Sequence, residues 1–299
     1  MIEKLARGIL PALCTPFDDS GGAVAVDRIP GLVRSLLDAG AAGLFVCGGS
    51  GEGGAMSLAE RQQMAAAVAG EVAGAVPLIL QVGATSTPSA VELARHAVGL
   101  PIDAVASVAP LDLPNDLEAA VDHYAAIGAA TDLPFYVYWL EATADTKITS
   151  PQYLDAMSAV PNFTGLKFTD RNFYFFQQLI ELSGGRLNAI TGPDELCLPG
   201  MVMGSDAAIG STYNIMPKLF VHMRREFEAG RIRPAMEAQA RANRVIPALI
   251  EAGVLPAIKA VLGWRGIPVG PPRPPLVPLS AAAETRLRQR LDVLDFQVA

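Results

Sequence analysis

Short apolar runs rich in β-branched and aromatic residues recur along the chain at 9–15, 43–48, 77–83, 104–110, 134–139, 164–169, 187–192 and 207–212. Between them lie longer stretches with helical spacing of apolar positions. Ser57-Leu58-Ala59-Glu60 reads as a capping box that opens a long helix, and Thr87-Pro88 and Asp170 suit the starts of two more. Eight strand-to-helix repeats predict a (β/α)8 TIM barrel, an α/β fold whose parallel strands close on themselves inside a ring of helices. After the helix expected over 217–230 the pattern holds no further strand. Residues 1–230 are therefore expected to form the barrel and 231–299 a C-terminal helical extension, its helices joined by the Pro-rich connector 266–275 as a rigid link.

The length of 299 residues suits one such barrel with its extension, and 51% hydrophobic against 18% charged residues indicates a folded globular chain. A net charge of −7, with no basic cluster beyond Arg224-Arg225, argues against nucleic acid and anionic membrane surfaces as partners. Small molecules become the expected ligands. The N-terminal residues carry charges and no uninterrupted apolar stretch, and later apolar runs are broken before they could span a bilayer, so a cytoplasmic protein is expected. Cys14, Cys47 and Cys197 are odd in number and far apart, as core thiols are. His96, His123 and His222 lie on helix-like segments without a second ligand nearby, so no metal is expected.

Chemistry collects at the carboxyl ends of the expected strands, where the loops of a barrel form its open face. Lys167 lies in the strand-like run Thr164-Gly165-Leu166-Lys167-Phe168-Thr169; the other lysines are Lys4, Lys147, Lys218 and Lys259. An ammonium buried there needs a partner, with Asp170 or Asp194 available, or is driven toward the neutral amine that attacks carbonyls. Alternation puts Tyr136 and Tyr138 on one face of the fifth strand and Val137 and Trp139 on the other, and points Lys167 and Thr169 together into the barrel. Tyr138, nearer the open end, could pass protons beside the lysine. The run Gly48-Gly49-Ser50-Gly51-Glu52-Gly53-Gly54 can aim backbone N–H groups and the Ser50 hydroxyl at a carboxylate or phosphate, or be a tight turn alone. Gly192-Pro193-Asp194-Glu195 and Gly210-Ser211-Thr212 add groups that suit a polyhydroxylated ligand.

These residues resemble the class I pyruvate-dependent aldolases that include N-acetylneuraminate lyase and dihydrodipicolinate synthase. The resemblance runs through Thr15-Pro16-Phe17, the 48–52 run, Tyr138, 165–169, 192–195, 210–214 and 266–273. It implies an eight-fold α/β barrel with a helical extension, a homotetramer built as a dimer of dimers, and a Schiff-base lysine at Lys167 with Tyr138 as its catalytic companion. The lyase branch is the nearer, which implies substrate contacts from Gly49, Ser50, Thr169, Gly192, Asp194, Glu195 and Ser211 and no cofactor. The synthase branch carries an arginine shortly after the tyrosine, where this chain reads Trp139-Leu140-Glu141-Ala142-Thr143-Ala144-Asp145.

Three departures stand out. Gly49 replaces a serine or threonine, Tyr138-Trp139-Leu140-Glu141 replaces Tyr-Asn/His-x-Pro, and Pro110-Leu111-Asp112 replaces a Pro-aromatic-aromatic stretch. The expected activity is cleavage of N-acetylneuraminate to pyruvate and N-acetylmannosamine. The alternatives are an aldolase or dehydratase for another 2-keto-3-deoxy sugar acid, or a barrel that binds such an acid without turnover.

Overall fold

The computed structural model describes residues 4–110, 115–144 and 147–296. Its eight strands are Gly8–Pro11 (β1), Leu44–Val46 (β2), Leu78–Gln81 (β3), Ala104–Val108 (β4), Phe135–Leu140 (β5), Phe163–Thr169 (β6), Asn188–Thr191 (β7) and Ala207–Gly210 (β8). All the strand pairings are parallel and run β1-β8-β7-β6-β5-β4-β3-β2, and a parallel bridge between Ala12 and Phe45 completes the ring. The expected (β/α)8 barrel is the fold observed, with six of the strands shorter than their apolar runs because pairing stops where the chain turns into the loops, while β5 and β6 keep the full length of theirs.

Helices Ile29–Asp38 (α1), Leu58–Val72 (α2), Thr87–Val98 (α3), Leu117–Gly128 (α4), Ser150–Met157 (α5), Phe173–Leu182 (α6), Cys197–Val202 (α7) and Pro217–Glu228 (α8) surround it. Ile232–Ala252 (α9), Val254–Trp264 (α10) and Ala281–Val293 (α11) follow. The capping box at Ser57 and Glu60 is formed, satisfying donors at the start of α2. Helix α3 starts at Thr87 with Pro88 in its first turn, as expected, and Ser86 caps it. One start differs from expectation: α6 begins at Phe173, and Asn172, not Asp170, caps it by accepting from Phe175 N at 3.1 Å. Asp170 is drawn away because Trp139 Nε1 and Asn172 N both donate to it at 2.9 Å.

Period-two alternation divides the core into two layers. Leu10, Phe45, Ile79, Ala106, Tyr136, Ile190 and Ile209 fill the barrel interior, while Leu44, Leu80, Val105, Val137, Leu166 and Phe168 pack outward against the helices. Gly165 faces inward under the Tyr136 ring, and a Cβ there would overlap that ring, so only glycine lets β6 lie this close. Among the described residues no single helix is long and apolar enough to cross a membrane; α9 and α10 pass that test only as a pair bent by 108°.

Candidate active site

Lys167 points into the barrel from β6, where its Cα pairs with Tyr138 on β5 and Ile190 on β7. Only 5% of its surface is exposed, and its Nζ lies 4.1 Å from the centroid of the Phe45 ring and 3.9 Å from that of Tyr138. Among the described residues no carboxylate comes within ion-pair distance of it. The expected alternative of a buried pair with Asp170 or Asp194 is not formed: Asp170 is held on the outer side of the strand by Trp139. Burial pulls the Lys167 pKa below that of an ordinary lysine, while the Tyr138 hydroxyl and, more weakly, Asp194 pull it back up. The result is an amine biased toward its neutral, nucleophilic form.

Asp194 begins the turn after β7 and is buried, with Thr212 N donating to its Oδ2 at 2.7 Å. Desolvation pushes its pKa up to about 6, against the hydrogen bonds from Thr212. Two glycines make room for this corner. A Cβ on Gly210 would overlap the Asp194 carboxylate, and one on Gly192 would overlap the Thr169 hydroxyl. Thr169 Oγ1 is buried without a hydrogen-bond partner. Helix α9 fixes the corner from behind: Gln239 Nε2 donates to Asp194 O at 3.1 Å, and Asn243 Nδ2 to Glu195 O at 3.0 Å. Sequence reasoning missed Gln239 and Asn243, because a polar residue on an amphipathic helix carries no mark of the loop it reaches.

The glycine-rich run is a tight turn with one open corner. Cys47 and Glu52 adopt left-handed backbone conformations, with φ of 59° and 53°, and the amides of Glu52 and Gly53 donate to Gly49 O and Gly48 O. Those two amides are spent inside the turn. Those of Gly49 and Ser50 have no hydrogen-bond partner among the described residues, so the anion cradle narrows to this pair. Ser50 Oγ lies 2.6 Å from Ser211 Oγ, which ties the turn to the end of β8. A Cβ on Gly53 would overlap Cys47 O, whereas one on Gly49 would meet nothing within 4 Å. The hydroxyl missing at Gly49 leaves open space.

Above the strands, a cavity of roughly 650 Å³ is lined by Glu141, Thr169, Gly192, Asp194, Glu195 and Ser211 among others. A second, of roughly 490 Å³, includes Gly49, Ser50 and Ser211, and the two share Ser211 and Val254. The seven residues expected to contact substrate thus meet at one mouth, with Lys167 and Tyr138 on the strands beneath. Trp139 is elsewhere: it packs outside the barrel, its ring centroid 5.8 Å from Phe168 and 5.2 Å from Tyr153. Glu141 is exposed on the cavity wall. Of the third departure, Leu111 and Asp112 lie outside the described residues, as does Asp145. Among the described residues no group of three or more His, Cys, Asp or Glu side chains is placed to hold a metal ion.

The model of the dihydrodipicolinate synthetase family matches residues 5–294. The N-acetylneuraminate lyase of Rhizobium meliloti (strain 1021) is 37% identical over 287 residues, which cover 95% of this chain and 93% of that protein. Among solved structures, the Proteus mirabilis N-acetylneuraminate lyase superposes with a TM-score of 0.91 at 30% identity, covering 99% of this chain and 100% of that one. The Ruminococcus gnavus sialic acid aldolase, solved as a catalytic lysine mutant, gives 0.91 at 27% identity over 99% of this chain and 98% of its own.

Proposed function

The chain belongs to the dihydrodipicolinate synthetase family and is a class I, Schiff-base aldolase, and on that premise we propose that it cleaves N-acetylneuraminate to pyruvate and N-acetylmannosamine. The observation that carries this reading is an unpaired, buried Lys167 beside Tyr138, beneath a cavity walled by hydroxyl-binding groups.

In this reading the neutral Lys167 Nζ attacks C2 of the keto acid, and loss of water gives an iminium. Tyr138 relays the proton of the C4 hydroxyl, passing its own phenolic proton to the substrate carboxylate, as the C3–C4 bond breaks; the electron pair of that bond passes into the iminium and leaves an enamine with release of the aldehyde. Protonation at C3 and hydrolysis then free pyruvate and the lysine. The Gly49 and Ser50 amides and the Ser50 hydroxyl hold the substrate carboxylate. Thr169, the Gly192 backbone, Asp194, Glu195 and Ser211 hold the sugar hydroxyls. The same reading takes residues 231–299 as an extension of a barrel domain at 1–230, in a cytoplasmic homotetramer. The exposed apolar side chains of Ile232 and Met236 on α9 support assembly.

A second reading keeps the chemistry and changes the sugar. Glu141 on the cavity wall and the open corner at Gly49 favour another 2-keto-3-deoxy sugar acid. A panel of such acids, N-acetylneuraminate included, tests the choice together with borohydride trapping in the presence of pyruvate. The highest kcat/KM for N-acetylneuraminate is the expected result. A preference of about tenfold or more, roughly 1.4 kcal/mol, for a different acid would replace the substrate. No pyruvate-sized adduct on Lys167 at saturating pyruvate would overturn the chemistry.

A further inference from the structure

The buried charges that the reaction does not use gather where the C-terminal segment meets the glycine-rich turn. Glu52, inside the turn, is the centre. Its Oε1 lies 2.6 Å from Lys259 Nζ on α10, with both side chains 2% exposed, and its Oε2 accepts from the backbone N of Arg273 at 2.6 Å. Lys259 Nζ also donates to Thr15 O at 3.0 Å and Pro271 O at 3.2 Å, while Thr15 Oγ1 donates to Gly51 O at 2.5 Å. The Arg273 side chain spreads over the same region, donating to Gly21 O, Gly22 O, Ala55 O and the Glu60 carboxylate. Residues from the start of the barrel, the turn and the C-terminal connector are thereby joined in one network.

This placement is more specific than general adhesion of a tail to a barrel. Glu52 holds the left-handed conformation that folds the turn back on itself, its own amide donating to Gly49 O at 3.0 Å. Any change in where the Glu52 carboxylate is anchored is transmitted through three bonded residues to the amides of Gly49 and Ser50. A buried carboxylate also keeps a fixed position only while its cation is present, because an unpaired one is driven toward water.

We propose that Glu52 and Lys259, with Arg273, are positioning residues: through them the C-terminal segment sets the geometry of the turn that receives the keto-acid carboxylate. The proposal rests on the reading of that turn as the carboxylate cradle.

The test compares the full-length enzyme with Lys259→Met. Half-saturation by pyruvate in borohydride trapping on Lys167 is expected to rise about 10- to 100-fold, the worth of one or two charge-assisted hydrogen bonds, while the plateau of adduct stays unchanged. Hydrogen exchange at the amides of 48–54 is expected to accelerate more than at β5 and β6. A purely structural role would lower stability and leave the folded fraction binding pyruvate as before, so an unchanged half-saturation overturns the proposal, as does acceleration spread evenly over the barrel. Should Lys259→Met fail to fold, Glu52→Gln/Lys259→Met removes both charges together. The same rise is expected there, and its absence is equally decisive. A wild-type enzyme that forms no adduct would instead overturn the chemistry on which the cradle reading rests, and local exchange at 48–54 alone would then decide whether the network holds the turn.

Discussion

Lys167 and Lys259 are the same side chain at nearly the same burial, 5% and 4% exposed, and they do opposite things. Burial lowers the pKa of both. Lys259 has a carboxylate at 2.6 Å and two carbonyl oxygens within hydrogen-bond reach, so every bond it makes favours the ammonium. Lys167 meets two aromatic rings, a phenol and no carboxylate at contact distance. The difference teaches that burial by itself does not make a lysine a nucleophile. Withholding its counter-ion does, and the fold gives up stability at Lys167 to keep that amine unpaired.

Methionine at each position separates the two roles most sharply. Lys167→Met is expected to reduce cleavage to background while leaving the denaturation midpoint unchanged or raised, since an uncompensated amine leaves the core. Lys259→Met strands Glu52 and is expected to cost about 3–5 kcal/mol of stability in urea unfolding. Equal destabilisation by the two variants would break the comparison.

Asp194 offers a smaller effect, set mainly by its burial, that senses Lys167 but not Lys259. Its folded-state pKa of about 6 stands above the ordinary carboxylate value of 3.8. Across that window the native state binds more protons than the unfolded chain, so stability falls as pH rises through it, and the loss is complete above pH 6. Asp194→Asn is therefore expected to be more stable than the parent above that window by up to roughly 3 kcal/mol, with the gain vanishing at its acid end. Melts recorded from acid to neutral pH check this. Lys167→Met should move the Asp194 transition to higher pH by removing the nearby amine, whereas Lys259→Met should leave it in place.

Gly49→Ser is expected to do least. Nothing lies within 4 Å of the added carbon, so stability should change by no more than about 0.5 kcal/mol. The new hydroxyl should lower half-saturating pyruvate about two- to fivefold, the worth of one hydroxyl hydrogen bond to the carboxylate less the cost of ordering the new side chain. A loss of pyruvate binding would show that the corner is shaped for something other than a carboxylate.

Much of the site was legible because it obeys local rules. The inward direction of Tyr138, Lys167 and Thr169 follows from strand alternation, and the outward packing of Trp139 from the same rule. The capping box at Ser57 needs only residues three apart. The helix start at Asp170 was misplaced because a tertiary partner, Trp139 Nε1, competes for that carboxylate. The glycine-rich run showed a turn able to face an anion, but not that the amides of Glu52 and Gly53 would close on the turn itself.

The sequence by itself determined the eight strands, their inner and outer faces, the barrel they close and the lysine placed within it, because backbone periodicity and capping act over a few residues. Only the tertiary structure decided which lysine has a counter-ion. Glu52 and Lys259 stand 207 residues apart and meet only when α10 packs against the loop after the first strand, while Lys167, with Asp170 three residues on, has neither that aspartate nor Asp194 at contact distance. Electrostatic pairing acts through space, and space is allotted only once the whole chain has packed.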